Sequence, residues 1–69
     1  MPSNVYKHID ITGSSTQSSD HAVQTAVKKA SESLRGMRWF KVKEIRGHIE
    51  DGDVRHWQVT VEIGFTLES

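Results

Sequence analysis

Residues 39–67, WFKVKEIRGHIEDGDVRHWQVTVEIGFTL, decide the fold. Two long runs rich in β-branched and aromatic residues flank Asp51-Gly52, the strongest short-range signal for a two-residue β-hairpin. With Asp51 and Gly52 at the turn, Glu50 faces Asp53. That register sets Val42 against Val61 and Phe40 against Ile63, apolar on apolar. It also sets Lys41 against Glu62 and Trp39 against Gly64 on the other face. A bulge near residues 43–45 would shift the outer part of the pairing. Trp57, Val59, Val61, Ile63, Phe65 and Leu67 share one phase of the second run. It is the most apolar strand and is expected at the centre of the sheet.

Upstream, Val5 to Thr12 alternates: Val5, Ile9 and Ile11 in one phase with Lys7, and Tyr6, His8, Asp10 and Thr12 in the other. Period two predicts a half-buried strand. Gly13 to Ser19 is small and polar and reads as a loop. A helix follows, with Ser18 or Ser19 as N-cap and Asp20 near the positive end of its dipole. Its apolar stripe is Ala22, Val23, Ala26, Val27, Ala30 and Leu34, with Arg35 in the last turn and Gly36 just beyond it. The chain, residues 1–69, therefore reads as a single α+β domain of order β-α-β-β. A helix between the first two strands and strand order 2-3-1 make every pairing antiparallel, with one helix on one face.

The 69 residues are 35 % hydrophobic and include no cysteine. Disulfides, iron–sulfur clusters and Cys-zinc sites are excluded. The core is thin for a domain of this size, so association with other copies is the expected supplement. Nine basic residues balance nine acidic ones, whereas a duplex-DNA binder draws most of its affinity from excess positive charge. No apolar run approaches the roughly 20 residues that span a bilayer. The start, MPSNVYKHIDI, alternates and does not resemble a signal peptide. A cytoplasmic protein is expected.

Two mismatches point to function. Residues 39–50 span about 40 Å as a strand, but a helix of some 17 residues spans about 26 Å. The hairpin overhangs its cover. In the uninterrupted register the overhang places Arg46, His48 and Trp57 on the covered face, where a neighbouring subunit is expected to complete the cover. The other mismatch is Trp39, which falls on the face without a helix, opposite Gly64. A large aromatic on a bare sheet face calls for a partner, and Gly64 leaves room for a flat ring. Gln58 shares that face, opposite Ile45, and its amide offers donors and an acceptor in one plane, suited to the edge of a heterocycle. Trp39 and Gln58 lie about 20 Å apart along the strand. To meet one small ring they must come from different chains, or the strand must bend strongly.

These residues resemble the dodecin family. The likeness rests on Arg38-Trp39-Phe40-Lys41-Val42, Ile45-Arg46-Gly47-His48-Ile49, Asp51-Gly52, Trp57-Gln58-Val59-Thr60-Val61 and Ile63-Gly64-Phe65-Thr66-Leu67-Glu68, with Val5-Tyr6-Lys7, Ile9, Ile11 and Gly13-Ser14-Ser15 at the start. It runs through nearly the whole chain. It implies a hollow homododecamer that binds flavins in pairs at two-fold interfaces, with stacked isoalloxazine rings sandwiched between symmetry-related tryptophans. By resemblance Trp39 stacks on the ring, Gln58 reads its polar edge, and Arg46 meets a ligand phosphate or an interface. Trp57 departs from the family pattern and reads as packing, and Gly13-Ser14-Ser15 replaces the usual Gly-Thr-Ser. The implied role is flavin storage and light protection, with riboflavin, FMN or FAD as ligand. The resemblance also permits coenzyme A at the trimer junctions. An electron-rich indole flat against an excited flavin is a good quencher, and no catalytic residue is needed.

Other chemistry finds little support. His8, His21, His48 and His56 include no i, i+4 pair; in the uninterrupted register His56 faces Gly47 and His48 faces Arg55, so no metal site is expected. Glu50, Asp51 and Asp53 surround a turn, where acids are solvated. No phosphate loop, nucleophile elbow or dinucleotide motif is present, and the protein is not expected to be an enzyme. Trp39 with Arg38, Lys41 and Lys43 could stack single-stranded nucleic acid. That reading, and a purely structural oligomeric module, stand as alternatives.

Overall fold

The computed structural model describes residues 5–67. Strand β1 is Tyr6–Ser15, helix α1 is Ser19–Ser31, strand β2 is Met37–Glu50 and strand β3 is Asp53–Thr66. The three strands form one antiparallel sheet in the order β1-β3-β2, as the apolar character of β3 predicts. The turn has φ of 55° at Asp51 and 82° at Gly52. Positive φ at both central residues is the type I′ geometry that matches the twist of a hairpin.

The core is small. Ala22 and Ala26 of α1 lie on Val59, Val61 and Ile63 of β3, flanked by Ile9, Ile11 and Phe65. Only small residues line the buried side of the helix, so it sits very close to the sheet. A methyl group on Gly13 of β1 would overlap the Ala22 carbonyl and the Ala26 side chain. Ser18 caps the helix by accepting from the His21 N–H at 3.0 Å.

Three local expectations are corrected. β1 runs on through Gly13, Ser14 and Ser15, which pair with Val59, Gln58 and Trp57 and are not loop. The helix stops at Ser31, not Arg35. Ser31 and Ser33 hold it weakly, and the last turn tightens as Leu34 N–H and Ser33 N–H share the Ala30 carbonyl. The register of the hairpin also breaks. Pairs 39–42 follow the turn-based register, the partners of residues 44–48 are shifted by one, and a second break after His48 returns Ile49 and Glu50 to it.

That shift swaps faces. Ile45 now faces Val59 and Gly47 faces Trp57, while Arg46 faces Gln58 and His48 faces His56. Arg46 and His48 thus leave the helix-side face expected for them. The overhang itself is larger than expected. The 13-residue helix spans about 20 Å against about 46 Å for the 14-residue strands. It packs on β1 and β3 and leaves Phe40, Val42, Ile45 and Ile49 of β2 exposed.

Candidate functional site

The sheet face away from the helix is a ladder of polar pairs with Tyr6 and Trp39 toward one end. Thr12 and Thr60 hydroxyls meet at 2.9 Å. His8 Nδ1 lies 3.1 Å from Glu62; Glu62 stands opposite Lys41 as expected, but its carboxylate contacts His8. Lys43, displaced by the bulge, reaches across β3 to Asp10 at 3.0 Å. Its hydrogen bond to Asp10, aided by that carboxylate's charge, raises the Lys43 pKa. Arg46 Nε donates to Gln58 Oε1 at 3.2 Å.

Trp39 lies against Gly64, its register partner. A methyl built on Gly64 would overlap Cε2, Cζ2 and Cδ2 of the indole. The ring therefore rests flat on the bare backbone of β3, one face covered and the residue 39 % exposed. Such a ring offers its outer face to a planar partner. Gln58 shares the face, as expected, but stands six positions along β3 from Gly64, or about 20 Å. Its partner is Arg46 and not Ile45. With Oε1 occupied by Arg46, the free end of the amide is its pair of N–H donors.

The structure thus brings Arg46 and Gln58 together and keeps Trp39 apart from both within one chain. Trp57, on the helix-side face, borders a groove with Ile45, Ile49 and Val54, in keeping with a packing role. Sequence reading missed the Lys43–Asp10, His8–Glu62 and His48–His56 pairs. It also missed a contact between Ser15 Oγ and His21 Nδ1 at 2.7 Å. Ser15 Oγ also accepts the Gln17 N–H at 2.9 Å. The serine ties the end of β1 to the first turn of α1.

Comparison with known proteins gives a consistent result. The Dodecin family model matches residues 5–68. A dodecin of Thermus thermophilus is 44 % identical over 64 residues, covering 93 % of each chain. The dodecin structure from Streptomyces coelicolor superposes with a TM-score of 0.89 at 45 % identity, covering 100 % of this chain and 99 % of the other. The Streptomyces davaonensis dodecin gives 0.88 at 38 %, covering 99 % of this chain and 100 % of the other. Match, coverage and the β-α-β-β topology agree: the chain belongs to the dodecin family.

Proposed function

We propose that the protein binds and stores flavins as stacked pairs between Trp39 residues of symmetry-related copies, within a homododecamer. Gln58 presents its N–H donors to the acceptor edge of the ring, and Arg46 both orients that amide and offers positive charge to a phosphate. The observation that carries this reading is the indole laid flat on Gly64 with its other face open. Held there, it can donate an electron to an excited flavin and quench it, and no residue need act as acid, base or nucleophile. The protein is then a binding protein of the cytoplasm rather than an enzyme.

The surface supports an assembly. The described residues expose 5373 Å², against about 4400 Å² expected of a 7.8-kDa monomer. The radius of gyration is 14.6 Å, against about 11 Å for a compact chain of this length. The separation of Trp39 from Gln58 asks for a second copy to complete a ring site. Single-stranded nucleic acid is disfavoured by Lys43, whose charge is matched by Asp10.

Titration of ligand-free protein with riboflavin, FMN and FAD tests the proposal. Flavin fluorescence should fall to near zero up to one equivalent per chain. Unchanged fluorescence, with no bound flavin after gel filtration, would refute it.

A further inference from the structure

The break at Lys43 turns His48 onto the uncovered face and sets it directly opposite His56. Their rings stack with centroids 5.5 Å apart and planes 20° from parallel. The other two histidines are engaged, His8 by Glu62 and His21 by Ser15. His48 and His56 are stacked on each other. The nearest cations are neutralised or held: Arg46 bonds Gln58 at 3.2 Å and Arg55 pairs with Glu50 at 3.4 Å. His48 is exposed, and half-buried His56 borders an open polar hollow with Ser14, Ser15, Thr16, His21 and Thr25, where His21 is already bonded to Ser15.

We propose that His48 and His56 clamp a first-row transition dication, with Cu²⁺ and Ni²⁺ favoured. Directly opposed residues on one face of an antiparallel pair have Cβ atoms about 5 Å apart. Two imidazoles at that spacing can each bring one nitrogen to roughly 2.0–2.1 Å from a shared ion. The stacked rings reach that arrangement by turning about the Cβ–Cγ bond, where histidine is soft. Neutral imidazoles select Cu²⁺, Ni²⁺ and Zn²⁺ over Mg²⁺ and Ca²⁺, which want oxygen ligands. No group of three or more His, Asp or Glu ligands forms among the described residues. Water therefore fills the remaining positions, and binding is that of a bidentate site. The ion would staple β2 to β3 near the outer end of the hairpin. His56 stands eight residues along β3 from Gly64, about 26 Å, but His56 and His48 stand two residues, about 7 Å, from Gln58 and Arg46, so the clamp is apart from Trp39, adjoins the Gln58–Arg46 pair and is tested on flavin-free protein.

Full-length protein would be titrated with NiCl₂ and with CaCl₂ by calorimetry, and melted with and without each. His48→Gln, His56→Gln and, as control, His8→Gln would be treated alike, with circular dichroism and assembly mass checked in metal-free buffer. The wild type and His8→Gln should bind Ni²⁺ saturably, up to one ion per chain, with a melting point that rises with Ni²⁺ and ignores Ca²⁺. Either His48→Gln or His56→Gln should weaken Ni²⁺ binding about tenfold or more. Electron paramagnetic resonance of Cu²⁺ on the unaltered protein should show two equatorial nitrogens, a readout that needs no variant. Equal Ni²⁺ affinity in wild type and both variants, no saturable Ni²⁺ binding by the wild type, or a Cu²⁺ spectrum without nitrogen coupling would overturn the proposal.

Discussion

Trp39 and Gly64 act as one unit. The indole is flat and presentable because the residue beneath it has no side chain. Trp39→Ala removes the stacking surface, worth about 1–3 kcal/mol by analogy with base–aromatic contacts, and should weaken flavin binding roughly 5–150-fold. Gly64→Ala keeps the tryptophan but puts a methyl where the indole lies. Affinity and quenching should both fall, as read by fluorescence titration; wild-type quenching in Gly64→Ala would show that the ring does not bind in this pose. Gln58→Glu keeps a partner for Arg46 but exchanges the free N–H donors for an acceptor. It should cost about 1–3 kcal/mol in flavin binding while leaving the assembly mass unchanged, and equal affinity would reduce Gln58 to a packing residue.

The helix and the hairpin respond to different forces. The contact of α1 with the sheet depends on Gly13, so Gly13→Ala should force the helix outward and cost about 1–3 kcal/mol, seen as a lower denaturation midpoint. The bulge is held by Lys43 on Asp10. Folding raises the Lys43 pKa, so the pair's contribution is complete below the ordinary lysine range and lost as the pH climbs through the raised value. The stability difference between wild type and Lys43→Met should be constant around neutrality and vanish at strongly alkaline pH, in denaturation series at each pH. The turn and the strand order were legible from the Asp-Gly signal and the apolar run of β3, and the Trp39–Gly64 pairing was reached because the two breaks between it and the turn cancel. The outer face was not. Its signal was present as a change of phase: Phe40 and Val42 are even, Ile45 and Ile49 odd, and Val54 is out of step with Trp57 and Val59. A turn-based register carries straight through such breaks, which is why Arg46 and His48 were assigned to the wrong face. The helix end was missed because Leu34 continues the apolar spacing after Ser31–Ser33 have ceased to support a helix.

At the scale of the whole molecule, one chain is unfinished. It is a slab of 56 × 21 × 13 Å, with a helix over two strands and the apolar side of the third exposed. Phe40 is 52 % and Ile45 55 % exposed, more apolar surface on one strand than a stable monomer normally leaves to water. In the proposed site Trp39 offers one face to the ring, and Gln58 of the same chain stands about 20 Å away along β3. The central claim is that copies of this chain create the flavin site between them. Native mass spectrometry of the purified protein tests it most directly, because one spectrum reports both the assembly and what it carries. The account predicts an assembly of about 94 kDa, twelve chains of 7.8 kDa, with added mass that dissociates as flavin. A dominant 7.8-kDa species at micromolar concentration, or an assembly that takes up no flavin, would contradict it.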